Sequence, residues 1–203
     1  MVIKNKVITL IISLILMTNF AVAQEGKLRF GVDAGYAYTD IKAEETCREI
    51  ATVATVSCKW DNATPTLRAY VDYGLQKNLA VEFGYFITDS LDATYTVSGA
   101  SASESYKAKG VDLSLVYKQK DDEGFFAKGG LHRATLDGAA SIRIGGTTYS
   151  ASGSETGISW LAGFGYEGKI NQTTSWRAGF SYYNNLGNVS GADAKLVYLG
   201  LVF

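Results

Sequence analysis

With 203 residues, 47% hydrophobic and 19% charged, the chain suits one domain or a small pair, and its composition is neither disordered nor that of a multi-span helical protein. A formal net charge of −1 and the absence of any basic run longer than two residues exclude an electrostatic footprint for nucleic acid and a polybasic membrane patch.

At the N-terminus, Lys4 and Lys6 precede an apolar run from Val7 to Met17, followed by Ala21-Val22-Ala23. A positive start, an apolar stretch too short to span a bilayer and small residues at −3 and −1 predict a signal peptide over residues 1–23. The mature, exported domain is then 24–203.

From Lys27 onward the dominant period is two. One face of the first predicted strand carries Leu28, Phe30, Val32, Ala34, Tyr36 and Tyr38, and the other Arg29, Gly31, Asp33, Gly35 and Ala37. The long connection that follows holds the only two cysteines, Cys47 and Cys58. An even count in an exported chain predicts a disulfide, which would stabilise by roughly 2.5–3 kcal/mol in the chain-entropy model. Together with an exposed Trp60, this clip predicts a small ordered cap. Two sulfurs and the sole histidine, His132, make no metal-ligand spacing.

Strands two and three, at 67–76 and 79–88, form a tight hairpin. Further strands are predicted near 109–118, 125–135, 157–167, 175–184 and 194–203, giving eight in all with no convincing amphipathic helix. Turns at 76–78, 118–124 and 168–173 are short and polar, whereas 39–66, 89–105 and 136–156 are long, so short turns gather at one end and long loops at the other. Two of the long loops alternate around Ser98-Gly99 and Gly145-Gly146 and read as protruding hairpins, the second carrying Ile142, Ile144 and Tyr149.

Three features decide that the apolar face meets lipid. The polar face is crowded with glycine, which makes room in a narrow lumen. Aromatic residues collect toward strand ends on the apolar face, as interfacial girdles require. A sheet in hydrocarbon must close, and an even number of antiparallel strands permits closure. With its signal peptide, eight alternating strands and terminal "KLVYLGLVF", the chain resembles the small outer-membrane β-barrels: the opacity-protein and outer-membrane-protein-X group and the transmembrane domain of outer-membrane protein A. The expected fold is therefore all-β, a closed eight-stranded antiparallel up-and-down transmembrane barrel. The resemblance implies a monomer in the outer membrane of a Gram-negative bacterium, in contact with outer-membrane lipid and lipopolysaccharide. It also implies that Val197, Leu199, Leu201 and Phe203 form the signal read by the outer-membrane insertion machinery.

An eight-stranded barrel is filled by its own side chains. The inward set includes Asp33, Asp72, Glu82 and Asp112 with Arg68 nearby, then Lys128, His132, Glu167 and Arg177. Acids and bases fall largely on opposite walls, so Arg177 and Lys128 are expected to reach Glu82, Asp72 and Asp112. His132 is followed by Arg133-Ala134 rather than by a serine two residues on, and no nucleophile elbow or phosphate loop is present. The chain thus reads as a non-enzymatic protein without cofactor, whose loops bind a host or matrix protein or support envelope integrity. Trp60, Ile142, Ile144 and Tyr149 are the loop binding candidates. A small gated channel is the alternative, and a lipid-modifying enzyme comes third.

Overall fold

In a computed structural model, residues 26–39, 43–52, 55–120 and 123–203 are described, and the leader expected at 1–23 lies outside them. Among the described residues there are ten strands: β1 (Leu28–Thr39), β2 (Val56–Trp60), β3 (Ala63–Gln76), β4 (Leu79–Thr88), β5 (Leu91–Val97), β6 (Ala100–Lys118), β7 (Gly124–Ile144), β8 (Thr147–Lys169), β9 (Ser175–Tyr183) and β10 (Ala194–Val202). Helix α1 spans Ala43–Ala51, and a short 3-10 turn spans Leu186–Asn188.

Eight of these strands close a ring in the order β1, β3, β4, β6, β7, β8, β9, β10, with every neighbouring pair antiparallel. Phe203 seals it by donating to the Phe30 carbonyl at 2.7 Å and accepting from the Phe30 amide at 3.0 Å. Closure satisfies the backbone of every wall strand, the condition a sheet must meet in hydrocarbon. Outside the ring lies the apolar set expected from the alternation: Leu199 is 67% exposed, Phe164 63% and Leu131 59%. Such exposure is costly in water and favourable in lipid.

The remaining two strands extend the wall rather than add to the ring. After a break at Asp89-Ser90, β5 continues β4 along the same neighbour, β6. Ile87 pairs with Lys109 and Leu91 with Tyr106, so four residues on one strand span three on the other, a bulge. Beyond Asp61-Asn62, β2 likewise continues the β3 wall by pairing with β5. β6, β7 and β8 run through barrel and extension without a break, and the hairpin tips fall at Gly99 (φ 79°) and at Gly145 and Gly146 (φ 55° and 89°). These are the two protruding hairpins read from the sequence, and positive φ explains why glycine occupies both tips.

Helix α1 corrects the expectation of an all-strand chain. It lies inside the first long loop, and the Cys47–Cys58 disulfide ties it to β2. Cys47 and Ile50, one turn apart, pack with Val56, Cys58 and Trp60 around buried Ala93 and Tyr95. Trp60 is therefore half-buried beneath the cap instead of exposed.

Candidate functional site

Inward-facing positions of the barrel build a closed electrostatic plug from the middle of the lumen to its short-turn end. Its central layer holds three bases and three acids. Arg68 on β3 grips Asp112 on β6 with two bonds, Nε to Oδ2 at 2.9 Å and Nη2 to Oδ1 at 2.6 Å, and reaches Glu82 at 2.8 Å and Asp33 at 3.3 Å. Arg177 on β9 crosses the lumen to Glu82 Oε2 at 2.7 Å, and Lys128 on β7 reaches Glu82 Oε1 at 3.4 Å. A second layer near the short turns pairs Arg29 and Lys118 with Asp72 and Glu167. Arg29 bonds Asp72 at 2.5 Å and Glu167 at 2.6 Å, and Lys118 bonds Asp72 at 2.7 Å.

Both layers are electrically balanced, three against three and two against two, which is what burial of charge requires. Aromatic faces complete the solvation of the guanidinium groups. The Tyr70 ring lies 4.8 Å from Arg68 and 4.5 Å from Arg177, and Phe126 lies 4.7 Å from Arg177. Glycine makes room for these groups: a methyl at Gly84 would overlap the Arg68 guanidinium, and one at Gly31 would overlap the Tyr70 ring.

The arrangement differs from the sequence expectation in three ways. Asp72 is held by Arg29 and Lys118 rather than by Arg177 or Lys128, because it lies one layer nearer the short turns. Asp112 is taken by Arg68, its neighbour but one on the same wall, so acids and bases are not segregated on opposite walls. His132 stands outside the ion pairs: its Nε2 bonds the Asn184 carbonyl at 2.9 Å, and its ring packs on Tyr183 with centroids 5.3 Å apart. Arg29 and Lys118 are the network members that the sequence reading left out. Arg29 was already on the polar face of strand one, and its inward register was the available signal.

Above the plug, the extension inverts the faces of the same strands. In the barrel, β7 turns Phe125 and Leu131 outward and Lys128 and His132 inward. In the extension its outward residues are Asp137, Ser141 and Arg143, while Leu136, Ala140, Ile142 and Ile144 share the inward face. Tyr149, opposite Ile142 on β8, is 63% exposed. On the outer face, Asp137 accepts from Lys109 at 2.9 Å and from Ser154 at 2.7 Å, and these bonds hold its carboxyl below the usual carboxylate range.

One edge of this sheet is open. β9 pairs with β8 only from Leu161 onward, and the 3-10 turn lies against the strand near Glu155 and Gly157. From Thr147 to Ser154, β8 has no strand on that side among the described residues. At the C-terminus, Val197, Leu199 and Leu201 face outward on β10 and Phe203 closes the ring.

The chain is similar in fold to solved outer-membrane proteins. The attachment invasion locus protein Ail of Yersinia pestis is 15% identical over 89% of this chain and 100% of that one, with a TM-score of 0.49. OprG of Pseudomonas aeruginosa is 12% identical over 90% and 99%, with a TM-score of 0.46, and Neisserial surface protein A is 14% identical over 86% and 95%, with a TM-score of 0.43. No curated protein matches the chain. The OmpA-like transmembrane domain family matches residues 23–203, and the chain therefore belongs to that family.

Proposed function

We propose that this is a non-enzymatic surface protein of a Gram-negative outer membrane, whose protruding sheet captures an external protein. The carrying observation is the open edge of β8 from Thr147 to Ser154, next to the exposed apolar tip of Ile142, Ile144 and Tyr149. An unpaired edge offers backbone donors and acceptors to an extended segment, and the tip offers apolar anchors beside it. Apart from Glu155, the edge carries no charge and no proline to discourage such pairing. The fixed barrel beneath supplies the rigid scaffold on which recognition loops work best.

The channel reading has less support, because a path through the lumen would have to break the shared Glu82 bonds to Arg68, Arg177 and Lys128. The enzyme reading would need a base beside a nucleophile, whereas His132 bonds the Asn184 carbonyl through Nε2 and packs on Tyr183, and its buried Nδ1 has no hydrogen-bond partner among the described residues. Orientation follows the short turns, placed in the periplasm, and Val197, Leu199, Leu201 and Phe203 are proposed as the assembly signal.

The test is adherence of cells displaying the chain to immobilised matrix protein. Replacing Ile142, Ile144 and Tyr149 by alanine, and separately Ser150 and Ser152 by proline, should each lower adherence about tenfold. The heat-dependent gel shift of the barrel should stay unchanged. Full adherence in both variants would overturn the reading.

A further inference from the structure

At the loop end of the barrel, between the charged plug and the extension, lies a cavity of about 190 Å³. Its wall is formed by Thr39, Thr64, Thr88, Leu91, Tyr106 and Ala108, and its roof by the segment from Val189 to Ala192. We propose that this cavity binds a small uncharged apolar molecule, a monocyclic aromatic or short aliphatic of roughly six to ten non-hydrogen atoms.

Charge sets the ligand class first. Among the described residues, the one charged residue at the wall is Lys107, which is exposed and lies between the inward-facing Tyr106 and Ala108, so alternation turns its side chain outward. The carboxylates and bases of the plug are engaged with one another below. An ionic ligand would lose its hydration in the cavity and find no partner there.

Hydrogen bonding narrows the class further. The Thr64 hydroxyl donates to the Ser90 carbonyl at 3.1 Å. The Thr88 hydroxyl donates to the Ala108 carbonyl at 3.3 Å and accepts from the Ala108 amide at 2.9 Å. Tyr106 donates to Glu104 at 3.1 Å. These groups are satisfied within the chain; the hydroxyls of Thr39 and Ser190 also line the cavity, and the rest of its lining is mainly apolar. Apolar surface from Leu91, Ala108, Leu136, Leu186 and Val189 remains, and a mouth cavity of this size takes a benzene-sized guest that displaces water from it.

The floor makes this a terminal site rather than a passage. Ala108, Leu136 and Leu186 also belong to, or pack on, the cluster that contains Phe86, Ala134, Tyr183 and Leu196. The Phe86 and Tyr183 rings pack at a tilt beneath it, with centroids 4.9 Å apart. The roof and the turn leading into it are a fixed piece of backbone: Asn185, Gly187, Asn188 and Gly191 all have positive φ, and Leu186 accepts from the Val189 amide while donating to the Ala192 carbonyl. A ligand can therefore enter from the loop side and stop above Leu186.

Toluene titrated into the folded chain in lipid nanodiscs tests this by methyl NMR. The methyls of Leu91, Leu136, Leu186 and Val189 should shift saturably, with an apparent Kd of about 1 mM, while lipid-facing Leu113 and Leu199 drift without saturation. Filling the site from wall and roof, with Ala108→Leu and Ala192→Leu, should each abolish the saturable component. Saturation absent from the unmodified protein, or equal at lipid-facing methyls, would overturn the proposal, as would full binding in both folded variants. If neither variant folds, the contrast between cavity and lipid-facing methyls in the unmodified chain decides alone.

Discussion

β7 passes through two regions whose side chains are arranged in opposite senses. Below Arg133 the strand hides charge and shows grease; above it, leucine, alanine and isoleucine take the inward face, with Ile142 and Ile144 exposed at the tip, and aspartate, serine and arginine take the outward face. Backbone geometry and register with β6 and β8 do not change across that point. What changes is the solvent, so the inversion marks the height at which lipid gives way to water. The lesson is that alternation fixes a strand, while the sense of the alternation reports its surroundings.

Breaking the plug should have the largest effect. Glu82→Gln leaves Arg68, Arg177 and Lys128 facing two carboxylates instead of three, and should destabilise the barrel by about 3–5 kcal/mol. A lowered urea midpoint of the folded protein in bilayers would record it. Next is a matched pair of lysines on the outer face of the same sheet. Leu113→Lys places charge in hydrocarbon and should cost about 2–4 kcal/mol, whereas Ser141→Lys in the extension should leave the midpoint where it was. Equal costs would break the comparison.

A smaller and more local effect is expected at the cap. Cys47→Ser removes the tie between α1 and β2, a clip worth about 2.5–3 kcal/mol to the loop it closes. Limited proteolysis should then cut near α1 while the barrel keeps its heat-dependent gel shift. The smallest effect concerns Asp137. Its carboxyl is held below the ordinary range, so its bonds to Lys109 and Ser154 contribute above the unfolded value, about pH 3.9, and are lost as pH falls through the depressed one. Because the pair is exposed, Asp137→Asn should lower the unfolding midpoint at neutral pH only slightly, and the difference from the unmodified chain should vanish as pH falls below the depressed value.

Much of this molecule was legible in the sequence because lipid tolerates few exceptions. Every wall strand had to alternate, and Leu28 to Tyr38, Leu79 to Ile87 and Val197 to Phe203 do so without interruption. The tips at Gly99 and Gly145-Gly146 were readable because turn backbone demands glycine. Inward charges were readable as a set but not as pairs, because strand tilt and stagger decide which neighbours meet. Asp72 met Arg29 and Lys118 for that reason, although alternation alone put it within the same set as Arg177.

Helix α1 was missed because it is short and mostly polar and sits inside a long loop of a chain read by its period of two, although its apolar residues do fall on one face; Cys47 and Ile50 gain a partner once Tyr95 lies beneath them. Trp60 was misplaced through the same contact. The mouth cavity left no sequence signal, since its wall comes from residues as distant as Thr39 and Ala192.

The most direct measurement of the central claim is spin-label accessibility along the outward face of β7. Labels at Ala127, Leu131, Thr135, Asp137 and Ser141 in bilayers should be quenched by oxygen at the first two and by a water-soluble nickel reagent at the last three, with the crossover beside Arg133. Uniform exposure to the water-soluble reagent along the whole series would contradict a barrel whose faces invert at the membrane surface.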